Sequence, residues 1–382
     1  MATEGSEGVV RAKAGLDGVI AADTSISEVD GKRGLLIYHG YNVADLAEHA
    51  QFAEVAYLLW YGRLPGKAEY AAFLDSFTGS MDLPIETIMI LRMFPKAATP
   101  MEVIRTGVSS LGHWDPDSGV TRRDAVLRKA IRLTTRIPML ITAHQRIRHY
   151  LEPIHPVPGK SIAYNFLYTL TGEEPDAISE KTLDVALTLH ADHGFNASTF
   201  AARVTAATMS DMYSSVVSGI GALKGPLHGG ANEDVARMLD EIGEPERAEA
   251  YVMERLARKD KIAGFGHRVY KTMDPRATIL KKHCEALSEY KHDTRLLDIS
   301  NEVARVMSAN TRVYPNVDFY SASCYRLMGI PQELFTPIFV CSRVVGWTAH
   351  ILEQWANNRI IRPLSNYIGP MDLKYVPIDE RQ

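Results

Sequence analysis

The sequence runs to 382 residues, 46% of them hydrophobic and 23% charged, with a net charge of −4. That balance describes an ordinary globular chain, long enough for two domains that need not be contiguous. It excludes a polycationic nucleic-acid binder, since no long basic block is present, and three cysteines (Cys284, Cys324, Cys341) without CxxC spacing exclude a disulfide framework or thiolate zinc site.

The first stretch, Met1 to Gly8, is polar and acidic, with neither an apolar leader nor an arginine-rich presequence. No apolar run nears the length of a membrane span, so a cytoplasmic location is expected. Gly18-Val19-Ile20, Thr24-Ser25-Ile26-Ser27 and Leu35-Leu36-Ile37-Tyr38 are separated by Asp-Gly and Gly-Lys turns, which predicts a small antiparallel ribbon. From Asn42, the residues Val43, Leu46, Ala47, Ala53, Val55, Ala56, Leu58 and Leu59 recur at helical spacing, and Gly62-Arg63-Leu64-Pro65 ends that helix. Further helices are expected at about 67–79, 83–94, 100–112, 122–149, 159–171, 177–192, 197–208 and 211–222, broken at Pro, Gly or an Asp/Ser pair. Strands and helices do not alternate, so a doubly wound sheet is disfavoured and the fold class is all-α with a small N-terminal β ribbon.

In the 177–192 helix, His190 and His193 lie three apart beside Asp192, and Gly194-Phe195-Asn196 breaks the helix. A zinc site would need a third protein ligand, and nothing nearby offers one. His190, in register with Leu187, reads as a buried, hydrogen-bonded histidine. His193 and Asn196 either face a polar ligand or form a capping cluster. Next, Gly225-Pro226-Leu227-His228-Gly229-Gly230-Ala231-Asn232 puts one imidazole on a glycine turn. Gly225-Pro226 stops the preceding helix, Gly229-Gly230 lets backbone approach a ligand, and Val235, Met238, Leu239 and Ile242 mark the helix that follows. His228 therefore precedes a helix N-terminus, where the dipole disfavours an imidazolium. A neutral imidazole that donates to a developing oxyanion would be built this way; the plainer reading is a tight turn that His228 caps.

Helices at about 232–242 and 245–258 lead to Lys261-Ile262-Ala263-Gly264-Phe265-Gly266-His267-Arg268-Val269-Tyr270-Lys271. Its Gly-x-Gly lacks a third glycine and follows a helix, so a dinucleotide fingerprint fails its context. A glycine loop flanked by Lys261, Arg268 and Lys271 can still hold an adenine and phosphates. Asp274-Pro275-Arg276 starts another helix. In Tyr314-Pro315-Asn316-Val317-Asp318-Phe319-Tyr320, the aromatic setting can raise the Asp318 pKa and suit a base, although capping is the commoner role. Phe335 to Ile351 reads as a core helix interrupted by Arg343, and a buried arginine requires an anionic partner. Arg362-Pro363 opens an irregular tail suited to lie along another surface.

Two glycine-adjacent histidines, one aspartate among aromatics and isolated arginines suggest carbon–carbon bond formation between an activated acyl group and a keto acid. The aspartate takes a proton from carbon beside a carbonyl, one imidazole donates to the enolate oxygen, the other polarises the second carbonyl, and arginines clamp carboxylates. The motifs at 225–232, 264–270 and 314–320, in this order, resemble the three signatures of the citrate synthase family, and the likeness runs from Gly15-Leu16-Asp17-Gly18-Val19 to Asn358-Arg359-Ile360-Ile361-Arg362-Pro363.

The resemblance implies condensation of acetyl-CoA with oxaloacetate and hydrolysis of citryl-CoA, with catalytic His228, His267 and Asp318. It implies His193, Arg276, Arg343 and Arg362 as oxaloacetate and citrate ligands, with Asn196 the polar candidate beside them. Lys261, Ile262, Ala263, Gly264 and Phe265 would receive the CoA adenine, with Lys271 near the phosphates and Arg312 substituting where the family commonly has a Lys-Gly pair. No metal and no tightly bound cofactor are expected beyond the CoA co-substrate. The implied fold is a helical homodimer: a large domain at about 1–228 and 325–382, a small domain at about 229–324 that closes on oxaloacetate, and Arg362 entering the neighbouring site. Tyr38-His39-Gly40-Tyr41 and Thr99-Pro100-Met101 depart from the frequent Tyr-Arg-Gly-Tyr and His-Pro-Met. A 2-methylcitrate synthase using propionyl-CoA shares the motifs, and a non-catalytic helical assembly protein is the reading from another class.

Overall fold

The structure, a computed structural model, describes residues 14–16 and 18–382; Met1–Gly8 and Asp17 lie outside the described residues. Those residues form sixteen α-helices and one small three-stranded antiparallel sheet. The strands are Ser27–Asp30, Leu35–Tyr38 and Tyr41–Asn42, so only the third expected strand falls where the sequence put it. Gly18-Val19-Ile20 joins no strand pair of the described residues; the Val19 amide donates instead to the Leu16 carbonyl at 3.0 Å.

Several helices begin where a short polar side chain accepts from an exposed N–H group. Asp176 caps Ala177–His190, Asn196 caps Ala197–Ala207, Asp211 caps Met212–Leu223, Asp274 caps Pro275–Lys291 and Asn316 caps Val317–Leu327. The single helix expected from Asn42 is in fact two, Val43–His49 and Phe52–Tyr61. Gln51 makes no side-chain cap; instead the Phe52 amide donates to Asp184, at 3.1 Å to Oδ2, from far along the chain. Nothing local could reveal that break.

At the centre lies Phe335–Ala356, whose Trp347, Phe335 and Arg343 are buried. Arg123–Arg148, Ala177–His190, Ala197–Ala207, Met212–Leu223 and Phe52–Tyr61 pack around it. Gly219 lets Trp347 approach: a Cβ there would stand 3.0 Å from the indole. Counted from Gln332, this helix is long and apolar enough to cross a membrane, contrary to expectation, yet nearly all of it is buried within the protein. A second group packs mainly on itself: Ala231–Ile242, Ala248–Ala257, Pro275–Lys291, Arg295–Asn310 and Val317–Leu327. It meets the first group where Pro275–Lys291 lies on Ala177–His190 and Ala231–Ile242 on Phe335–Ala356.

Candidate active site

The 225–230 turn closes on itself. The His228 amide donates to the Gly225 carbonyl at 2.9 Å and the Gly229 amide to the Leu223 carbonyl at 3.0 Å. A Cβ on Gly229 would lie 2.4 Å from that Leu223 oxygen, so the residue must be glycine. Held there, His228 places Nε2 3.3 Å from the Ser198 amide and 2.9 Å from Ser198 Oγ. Asn196 Oδ1 also lies 3.3 Å from Nε2, but it already accepts from the Ser198 and Thr199 amides at 3.1 Å; the Ser198 amide can only donate and the Ser198 hydroxyl can turn to donate, so Nε2 accepts and the proton sits on Nδ1. Burial, with the charge of Arg343 behind it, lowers the His228 pKa to about 4, so the ring is neutral at pH 7. The helix dipole invoked from the sequence is not needed for that.

The 261–267 loop is zipped to the segment before Asp318. The Gly266 amide donates to the Tyr314 carbonyl at 2.9 Å, the Asn316 amide to the Gly264 carbonyl at 2.8 Å, and Asn316 Nδ2 to the Gly266 carbonyl at 2.9 Å. Gly264 and Gly266 take φ of 77° and 83°, and a Cβ on Gly264 would meet Phe319 and Val235 at 2.8 Å. His267 accepts at Nδ1 from the amides of Val269, at 3.0 Å, and Tyr270, at 3.1 Å, leaving the proton on Nε2. Burial, then Arg276, lowers its pKa to about 4. Asp318 lies in the first turn of Val317–Leu327, where Asn316 does the capping. Burial raises its carboxyl to about 6 against the opposing pull of Arg276.

Two arginines tie these pieces together. Arg276 and Arg343 both act on Asp318 and on buried His193, while Arg276 also acts on His267 and Arg343 on His228. The His193 ring lies 5.1 Å from His267, and its Nε2 3.2 Å from the Tyr270 hydroxyl. Arg276 grips Asp274 bidentately, at 3.0 and 2.8 Å. Arg343 is different: it donates from Nε to the His190 carbonyl at 2.8 Å and stacks on Phe339, with its centre 4.7 Å from the ring. No carboxylate of the described residues lies within ion-pair distance of it, and burial lowers its pKa to about 10. A buried guanidinium with its outer nitrogens unpaired calls for an anion.

The remaining residues singled out in the sequence divide among several places. Asn196 accepts from the Ser198 and Thr199 amides and donates from Nδ2 to Thr199 Oγ1, so its amide is engaged as a cap beside His228. Lys261, Ile262, Ala263, Gly264 and Phe265 line a cavity of about 390 Å³ with Asn316. Arg312 lines a separate one of about 520 Å³, which shares Phe265 as a wall. Lys271 is exposed, its Nζ on the Arg268 carbonyl at 3.1 Å. Arg362 projects into a third cavity of about 940 Å³ beside Arg203 and Glu353. Among the described residues no cluster of His, Cys, Asp and Glu could hold a metal, and His190 gives Nδ1 to the Ala186 carbonyl at 2.8 Å. Sequence reasoning missed Ser198, Tyr270 and Asp274. Only Asp274 carried a signal, standing two residues before Arg276 at a helix start.

The helical scaffold carries one carboxylate of raised pKa, two neutral imidazoles and an arginine short of an anion, the groups that acid–base chemistry on a small anion requires. The family model described as citrate synthase, C-terminal domain, matches residues 15–364. The chain belongs to the citrate synthase family, enzymes that transfer acyl groups. It is 48% identical to citrate synthase 2 of Bacillus subtilis over 96% of this chain and 98% of that one. It is 44% identical to 2-methylcitrate synthase of Shewanella oneidensis, over 96% and 98%. The solved ternary complex of citrate synthase from Thermoplasma acidophilum with carboxymethyl coenzyme A and oxaloacetate superposes with a TM-score of 0.88 at 33% identity, covering 96% of this chain and 98% of that one.

Proposed function

We propose that the protein condenses acetyl-CoA with oxaloacetate and hydrolyses the citryl-CoA formed to citrate and CoA. What supports this reading is that the His193 ring lies 5.1 Å from His267, that His228 and Arg343 both face Phe339, at 6.2 and 4.7 Å, and that Asp318 lies within the influence of Arg276 and Arg343. Asp318 takes a methyl proton from acetyl-CoA while His228 Nδ1–H donates to the thioester oxygen as the enol forms. The new carbon–carbon bond forms at the oxaloacetate carbonyl, which His267 Nε2–H polarises and to which it delivers a proton. Water then cleaves the thioester. His193, Arg276 and Arg343 bind the two carboxylates and Asn196 holds the His228 wall. Lys261 to Phe265 receive the CoA adenine, with Lys271 and Arg312 serving the phosphates. The complex of the Thermoplasma relative with both ligand types supports this pairing of substrates.

The helices at about 229–324 act as the smaller domain, closing over oxaloacetate to expel water before Asp318 acts. The protein works as a cytoplasmic homodimer, Arg362 of each protomer completing the neighbour's site. Supporting this, the tail from Arg362 onward is exposed, with Leu364 at 89% and Ile368 at 91%. Mixing protein, oxaloacetate and acetyl-CoA and following free thiol tests the reaction; no CoA release by the unaltered enzyme would refute it. The 2-methylcitrate synthase relative favours a second reading, propionyl-CoA as the acyl donor. The two donors differ by one methylene, worth about 1–3 kcal/mol in a pocket, so their kcat/KM ratio decides between them.

A further inference from the structure

The segment that presents His193 is held by side chains for which the condensation has no direct use. The Tyr38 hydroxyl donates to the Asp192 carbonyl at 2.9 Å and accepts from the Asp192 amide at 3.1 Å. On the far side of His193, the Gly194 amide donates to Ser27 Oγ and to Asp192 Oδ2, each at 3.1 Å, and Ser27 Oγ donates to the same carboxylate oxygen. Ser27 and Tyr38 are cross-strand partners in the N-terminal ribbon. Both peptide units flanking His193 are therefore pinned, which fixes where its side chain leaves the backbone, and the Tyr270 hydroxyl 3.2 Å from Nε2 meets the ring itself.

The Asp192 carboxylate is fully buried and needs compensation beyond these bonds. It lies 3.3 Å from His350 Nε2. His350 Nδ1 faces Arg203 Nη1 at 3.1 Å. A guanidinium only donates, so Nδ1 accepts and Nε2–H is left for Asp192. Arg203 also donates to Glu353 Oε2 at 2.6 Å, and Glu353 Oε1 accepts from the Ser25 amide at 2.9 Å and Thr24 Oγ1 at 3.2 Å. Gly346 makes room, since a Cβ there would fall 2.5 Å from Asp192 Oδ1. The outer end of the chain, Arg203 and Glu353, opens on the cavity that holds Arg362.

We propose that Asp192 and His350 are positioning residues: the chain Glu353–Arg203–His350–Asp192, anchored by Ser27 and Tyr38, fixes the backbone on both sides of His193 and so sets the affinity of the site for oxaloacetate. Neither residue touches substrate. The proposal rests on the condensation reading, so the unaltered enzyme is assayed first; absence of CoA release there refutes that reading, not this one.

With active wild type in hand, His350→Leu removes the donor to Asp192, whereas His350→Gln keeps a donor and an acceptor. The expected result for His350→Leu is an oxaloacetate KM raised about tenfold with the acetyl-CoA KM within about twofold, and for His350→Gln recovery to within about threefold of wild type. Ser27→Ala, in the half-buried ribbon, is the second variant should His350→Leu not fold; it should raise the oxaloacetate KM a few-fold with the same selectivity. An unchanged oxaloacetate KM in the variants that fold, or equal rises for both substrates alongside a lower Tm, would overturn the proposal, because a merely structural role has no reason to favour one substrate.

Discussion

The two glycine-bordered histidine loops reach the same electronic state by opposite routes. His267 accepts at Nδ1 from amides two and three residues ahead, so its own loop decides which nitrogen keeps the proton. His228 accepts at Nε2 from Ser198, an amide at the start of a helix thirty residues earlier, so the tertiary fold decides. Both rings are held neutral by burial, at about 4, but they offer different nitrogens to the cleft: Nε2–H from one and Nδ1–H from the other. A single imidazole type thus serves two carbonyl groups, its partner rather than its own chemistry choosing the donor atom.

Removing Asp318, the base without which neither histidine completes the reaction, should cost the most turnover. Asp318→Asn should lower kcat by about 10²- to 10⁴-fold while oxaloacetate still binds, measured by thiol release and ligand titration. The same variant should be more stable. The folded pKa of Asp318, about 6, lies above the usual 3.8, so ionising it costs stability: the cost is absent at low pH, grows between about 4 and 6, and is complete above 6. Removing the charge should therefore raise stability at pH 8 by on the order of 2 kcal/mol, read by denaturant melts. In wild type, kcat/KM should fall as pH drops through about 6, where the base takes up its proton.

Amide side chains distinguish the two rings nitrogen by nitrogen. Asparagine places its NH₂ near the Nδ1 position of histidine and glutamine near Nε2. His228→Asn should retain more turnover than His228→Gln, and His267→Gln more than His267→Asn, by about tenfold within overall losses of about 10²- to 10³-fold. Equal losses within each pair would contradict the assignment of opposite donors. Gly264→Ala meets Phe319 and Val235 at a backbone φ of 77°, and should cost about 1–3 kcal/mol of stability in thermal unfolding. The smallest effect belongs to Ser198→Ala, which deletes the hydroxyl but keeps the amide facing His228. A loss of about 0.5–1.5 kcal/mol in transition-state binding is expected from steady-state kinetics.

Much of this was legible in the sequence because it is written locally. Helical spacing with Asp, Asn, Gly and Pro at the ends located most helices, and glycine turns marked both histidines. The aromatic neighbours of Asp318 gave the reason to expect a raised pKa there, and burial does raise it, to about 6. What stayed hidden depends on residues far apart in the chain. The break at Ala50-Gln51 needs Asp184, and the donor nitrogen of His228 needs Ser198. Arg343 could be read as buried, but that no carboxylate of the described residues pairs with it, unlike Arg276 beside Asp274, emerges only once the helices are packed.

The most direct test is the protonation pattern of the two rings in the folded enzyme, read by ¹⁵N chemical shifts of ring-labelled histidine, with His228 and His267 assigned by single substitution. Two neutral imidazoles are expected at pH 7, His228 protonated at Nδ1 and His267 at Nε2. The same tautomer at both positions, or an imidazolium at either, would contradict that assignment.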